Sequence, residues 1–152
     1  MNDGSELQAL YRRTVIDHSR HPRNFRRVAD ADSVAEGHNP LCGDKVTIYL
    51  KLGDDSIEEI AFEGVGCAIA LASASIMTEQ IGRESTDEAR HEIERVMRQF
   101  DRTESGTEAL SGDMAALSGV RAYPSRIKCA TLAWKTLLAA LDGENRPVST
   151  EE

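Results

Sequence analysis

The sequence has no apolar run near the ~20 residues that a membrane-spanning helix needs, so no crossing segment is expected. It is also poor in positive charge: 18 Lys and Arg face 26 Asp and Glu, for a net charge of −8. Without clustered Lys and Arg there is no electrostatic footprint for nucleic acid, and no basic amphipathic helix for an anionic membrane surface. Met1 to Arg13 holds no basic segment followed by an apolar one, so no signal peptide is expected. Cysteine is scarce: there are three, an odd number, and no Cys-x-x-Cys pair. An odd count without an export signal points to a reducing compartment. The expectation is therefore a cytoplasmic protein whose thiols stay available for metal or catalysis. Internal repeats and dividing linkers are lacking too. Residues 1–152 read as a single domain, with a core over about 7–141 and a polar tail over 142–152 that is expected to fray.

What is present is a clear alternation of elements. Leu7, Leu10, Tyr11, Val15 and His18 recur at helical spacing, which predicts a helix over Glu6 to Arg20, stopped by Pro22. Val46, Ile48, Leu50 and Leu52 alternate with Lys45, Thr47, Tyr49 and Lys51, the pattern of a half-buried strand. Gly53 to Ser56 forms a turn, and Ile57 to Glu63 returns as a second strand. A third strand is placed in the Arg26 to Glu36 region. Gly64-Val65-Gly66 should break the second strand; it lacks the third glycine of a dinucleotide cradle. From Cys67 to Ile81 nearly every residue is small or apolar, which reads as a buried helix with Met77 in the core and Gly82 as its stop. Ser85 and Glu88 have capping-box spacing ahead of a helix striped by Ala89, Ile93, Val96, Met97 and Phe100. Residues 101–112 read as a polar surface insertion, followed by a short helix over Asp113 to Leu117. Pro124 opens the last helix, whose core face is Ile127, Ala130, Trp134, Leu137, Leu138 and Leu141. The order predicts an α+β fold, with helices packed on one face of a small antiparallel sheet.

The chemistry lies with the cysteines. Cys42-Gly43-Asp44 places two donors two residues apart, where a strand would aim both the same way. Cys67 falls at the start of a helix, whose N–H groups and dipole favour a thiolate. Cys129 falls in the first two turns of the last helix. Three thiols and a carboxylate suit Zn2+ or iron better than Mg2+ or Ca2+. Spacing alone leaves two readings open, a four-ligand site or three buried core thiols beside a turn aspartate. Arg126 and Lys128 read as a solvated helix face that could also offset the charge of such a site. Among the histidines, His18 and His21 read as capping or packing residues and His91 as solvated; His38, four residues before Cys42, could approach the site.

The surrounding segments decide between the readings. NPLCGD, EGVGCAIALASASIMTEQI, GVRAYPSRIKCATLAWKTL and LYRRTVIDHSRHPRNF, in collinear order from about Leu7 to Leu141, resemble the U-type (IscU/NifU-N-like) iron–sulfur cluster assembly family. Within it the chain is similar to the SufU branch. The IscU scaffold branch carries a histidine before the third cysteine and an LPPVK motif, where this chain has Lys128 and PSRIK. The extra segment Asp101 to Ser118 also fits SufU. The resemblance implies a compact α+β fold with a three-stranded antiparallel sheet and helices, and Zn2+ held by Cys42, Asp44, Cys67 and Cys129. It implies a SufS-type cysteine desulfurase as partner, with other iron–sulfur assembly proteins downstream. A histidine of that partner would take a zinc position and free Cys42, which would accept persulfide sulfur, and Arg126 would take part in partner engagement and catalysis. Three functions are set against one another: a zinc-dependent sulfurtransferase, a scaffold that builds a [2Fe–2S] cluster on the same residues, and a purely structural zinc module.

Overall fold

The computed structural model of the protein describes residues 3–100, 112–143 and 147–149. The expected insertion over 101–112 lies outside the described residues except for its last, and so does most of the tail. The elements run α1 (Asp3–Arg20), β1 (Ser33–Asn39), β2 (Asp44–Leu52), β3 (Ile57–Val65), α2 (Ala68–Ile81), α3 (Thr86–Phe100), α4 (Gly112–Leu117), a 3-10 turn (Ser118–Ala122), α5 (Pro124–Asp142) and β4 (Val148–Ser149). No helix among the described residues is long and apolar enough to cross a membrane.

The α+β class holds, but the sheet differs from expectation. It has four strands in the order β3-β2-β1-β4 and is mixed, not a three-stranded antiparallel sheet. The three antiparallel strands are present, with β2 pairing both β1 and β3. The fourth comes from the tail, where Val148 and Ser149 pair in parallel with Gly37 and His38. Two residues are too short to show alternation, and a pairing across the whole chain leaves no local mark. The third expected strand sits a few residues later than placed, at Ser33–Asn39. Nor does β3 break at Gly64. It runs on to Val65, and Gly64 is a strand residue whose Cβ, if present, would lie 2.6 Å from the Lys45 main-chain oxygen. That close approach, not a turn, accounts for the glycine.

One sheet face carries Ala35, Ile48, Leu50, Ile60 and Phe62 into the main core, where they meet Ile76, Met77, Ile93 and the α5 side chains Trp134 and Leu137. α5 is central and packs on β1, β2, α2 and α3. Burying Trp134 requires a partner for its indole N–H. Nε1 donates to Ser73 Oγ at 3.1 Å, and Ser73 Oγ donates to the Ala130 carbonyl at 2.5 Å. This chain locks α2 to α5, the two helices that start beside Cys67 and carry Cys129. The outer sheet face is not bare: Tyr49 and Ala61 are covered by Val28. Ser85 caps α3 through the Glu88 amide at 3.1 Å, as the sequence pattern suggests.

Candidate metal centre

Four element ends meet at one corner. The β1–β2 connection turns back at Asn39, whose main-chain oxygen accepts the amides of Cys42 and Gly43 at 3.3 and 2.9 Å. Gly43 adopts φ +73, a left-handed conformation that glycine takes without Cβ penalty. The chain therefore reverses between Cys42 and Asp44, and Asp44 enters β2 pointing inward while Cys42 stays exposed. Across the sheet, Gly66 lies so close that a Cβ there would come within 2.5 Å of Asp44 Oδ1. The carboxylate fills that space and accepts the Cys67 amide at 2.8 Å. Cys67 is the N-cap of α2.

Cys42, Asp44 and Cys129 offer ligand atoms all within 4.8 Å of one another. Cys42 Sγ and Cys129 Sγ are 3.5 Å apart. Cys67 joins through its Sγ, 3.9 Å from Asp44 Oδ2. Three of the four residues read from sequence as donors thus share one cluster of ligand atoms, although Cys42 and Cys129 lie far apart in the chain, and Cys67 stands beside that cluster against Asp44. Cys129 and Asp44 are buried, Cys67 is half-buried and Cys42 is exposed.

The electrostatics follow from this packing. The Cys67 thiol is lowered to about 6, first because Cys129 hydrogen-bonds to its sulfur, then because the Ala70 and Ile69 amides of the α2 first turn point at it; burial and Asp44 oppose. Cys129 is pushed up, first by its hydrogen bond to Cys67 and then by burial. The two shifts are opposite in sign, favouring the thiolate on Cys67 at the helix end and the proton on Cys129. Arg126 is exposed yet faces this cluster: its guanidinium is held above its ordinary pKa first by hydrogen bonding to Cys129, then by the charges of Cys67, Cys129 and Cys42. The reading of Arg126 as a merely solvated residue is therefore incomplete. Tyr11 lies close enough to be pushed up, chiefly by burial and by Tyr123.

The donor set fits Zn2+. A carboxylate that is 1 % exposed sits against thiols and is met by an amide and a main-chain N–H, all neutral donors. Burying that charge is costly unless a cation joins it. Three sulfurs and one oxygen around it are what Zn2+ or iron takes in four-coordinate sites.

The histidines divide. His38 lies on the outer side of β1 and does not approach the site; strand alternation turns its neighbour Asn39 inward instead. Asn39 is fully buried, and its Nδ2 donates to Asp44 Oδ2 at 3.3 Å and to Cys129 Sγ at 3.5 Å. Sequence reasoning missed it; a correct β1 boundary would have set the alternation and exposed it. His91 is exposed. His18 is buried, with Nδ1 against Ser75 Oγ and Nε2 against Asp113 Oδ2, both at 2.7 Å.

Comparison with known proteins agrees with this fold. The zinc-dependent sulfurtransferase SufU of Bacillus subtilis is 39% identical over 137 residues, spanning 90% of this chain and 92% of that protein. The iron–sulfur cluster assembly scaffold protein IscU of Thermotoga maritima is 37% identical over 141 residues, spanning 93% and 99%. The crystal structure of a putative iron–sulfur cluster assembly scaffold protein for the SUF system from Fervidobacterium islandicum superposes with a TM-score of 0.80 at 34% identity, covering 88% of this chain and 97% of that one. The NifU-like N terminal domain matches residues 10–140, and the chain belongs to that family of iron–sulfur cluster assembly proteins.

Proposed function

We propose that the protein is a zinc-dependent sulfurtransferase that accepts persulfide sulfur from a SufS-type cysteine desulfurase. Cys42 is the accepting thiol, and Asp44, Cys67 and Cys129 are the retained metal ligands. The observation that carries this reading is the difference in exposure: Cys42 is open to solvent, whereas Asp44 and Cys129 are buried. A partner's persulfide can reach the first and not those two, and Cys67, half-buried at the head of α2, is less open than Cys42. Attack of the Cys42 thiolate on the outer persulfide sulfur breaks one S–S bond and forms another. The desulfurase thiolate leaves, and no oxidant is needed. Bound Zn2+ would keep the thiolates deprotonated without oxidising them. Arg126 supplies positive charge on the open side, where an anionic persulfide would arrive. Leu41, Val65 and Tyr123 are large apolar side chains at least half exposed; each adjoins one of the ligand segments, and together they offer a rim for a docked partner. Lys128, in place of a histidine before Cys129, also supports sulfur relay over cluster building.

The second reading is a scaffold for a [2Fe–2S] cluster, favoured by relatives named as IscU scaffolds. Two measurements separate them. Protein purified without chelator should carry one zinc per chain and take labelled sulfur from the desulfurase, and Cys42→Ala should lose the uptake. Unchanged uptake by that variant, or a cluster formed anaerobically and passed to an apo-ferredoxin, would overturn the sulfurtransferase assignment.

A further inference from the structure

We infer that Asn39 is a positioning residue of the metal centre, holding Asp44 and Cys129 in place through hydrogen bonds that its side-chain amide donates. The inference rests on the reading that these residues bind Zn2+. Asn39 ends β1, is fully buried, and sits at the meeting point of three elements that carry ligands. Its NH2 group reaches the Asp44 carboxylate at 3.3 Å and the Cys129 sulfur at 3.5 Å. Once ionised, a carboxylate and a thiolate only accept hydrogen bonds, so the amide must present its donor end to both. An amide has two N–H bonds, one for each. Its main-chain oxygen meanwhile fixes the Cys42 turn through the amides of Cys42 and Gly43.

The chemical consequence is directional. A hydrogen bond donated to a metal-bound thiolate orients it, as partners behind metal ligands generally do, and, being donated to the sulfur, withdraws electron density from it. The amide thus restrains the buried ligands Asp44 and Cys129 from the side opposite solvent, while the Cys42 side chain extends outward from a turn held by its main chain. Asn39 separates the fixed half of the centre from the exchangeable half.

The test compares wild type with Asn39→Leu, which keeps the branched shape and removes the donor, and Asn39→Ala, which leaves room for water and serves should the leucine variant not fold. Folding is checked by circular dichroism. Zinc affinity is read by chelator competition, and the Co2+-substituted proteins are read by their thiolate-to-cobalt charge-transfer band. The donor role predicts a loss of about 10–100-fold in zinc affinity for both variants. It also predicts a charge-transfer band at lower energy, because a thiolate without its hydrogen bond donates more strongly. A role in filling space predicts instead that Asn39→Leu matches wild type and Asn39→Ala does not. That result, or wild-type affinity and an unshifted band in both variants, would overturn the inference. Failure of the site reading is a separate outcome, seen if wild type binds no stoichiometric zinc or if Cys129→Ala binds it as tightly.

Discussion

Replacing Gly66 by alanine should damage the metal centre through a residue that offers no ligand. An added Cβ would lie 2.5 Å from Asp44 Oδ1 and 3.1 Å from both Asp44 Cα and Cβ. Moving the carboxylate alone cannot relieve this, because the Asp44 backbone is crowded as well. Overpacking of this kind costs about 1–3 kcal/mol. The displaced oxygen also loses the Cys67 amide, bonded at 2.8 Å, and a hydrogen bond to a charged group is worth about 1.5–3 kcal/mol. Even near the low end of the two together, about 3 kcal/mol, the melting temperature of zinc-free protein falls by about 6–12 °C at this chain length. If the displacement also falls on the ligand position, zinc affinity drops by about 100-fold. Gly43→Ala is the matched control. Nothing lies within 4 Å of its would-be Cβ, so only the left-handed φ of +73 is strained, at about 1–2 kcal/mol. Differential scanning calorimetry and zinc competition on both variants decide the matter. Gly66→Ala with unchanged melting temperature and zinc affinity, or no worse than Gly43→Ala on both, would refute the argument that Asp44 is seated against Gly66.

In zinc-free protein, thiolate absorbance in the ultraviolet should show one step with a midpoint near 6, absent from Cys67→Ser. The folded value lies below the ~8.5 of a free thiol, so the Cys67 contribution to stability is fully present above that pH and fades as pH falls through about 6. Cys129, pushed the other way, contributes below the free-thiol value and loses it as pH rises, so zinc-free stability should peak between the two and decline on both sides in urea titrations. His18→Ala removes a buried ring bonded at both nitrogens and should cost about 2–4 kcal/mol in urea unfolding; a cost below 1 kcal/mol would show that the Ser75 and Asp113 contacts are not both kept in solution. Chelation of zinc from protein held at about a thousandfold excess over Kd should remove about 4 kcal/mol, read as a fall in melting temperature that added zinc reverses.

What the sequence reveals about this chain depends on how locally each feature is encoded. The β2–β3 hairpin is legible because alternation and turn sit within 21 residues, and the Gly53 amide does bond to the Ser56 carbonyl. Cys67 is placed at the head of α2 because the change from glycine-rich to alanine-rich sequence marks a helix start. The misses are non-local. Tyr49 reads as an outward, wet position, yet the segment around Val28 folds over it. His18 finds Asp113 95 positions away, so its pairing has no sequence mark. Placing the third strand between Arg26 and Glu36 instead of at Ser33–Asn39 has the largest consequence. With the strand misplaced, its inward and outward positions are unset, attention goes to His38, and Asn39 goes unnoticed.

The arrangement of the ligands also argues against reading the centre as a simple structural staple. A staple is best served by four equally buried ligands on rigid elements, as closed structural zinc sites are. Here the helix bearing Cys129 and the helix headed by Cys67 are locked together through Trp134, Ser73 and the Ala130 carbonyl, and Asp44 is wedged against Gly66 and tied to the Cys67 amide. Cys42 instead extends from a glycine turn into solvent, with apolar Leu41 exposed beside it. Asp44 and Cys129 in the core, Cys67 at a helix head and Cys42 on an open turn suit the proposed centre, which would give up one ligand while keeping its metal. The proposed sulfur acceptor, which must protect its thiol until the donor docks, needs that division.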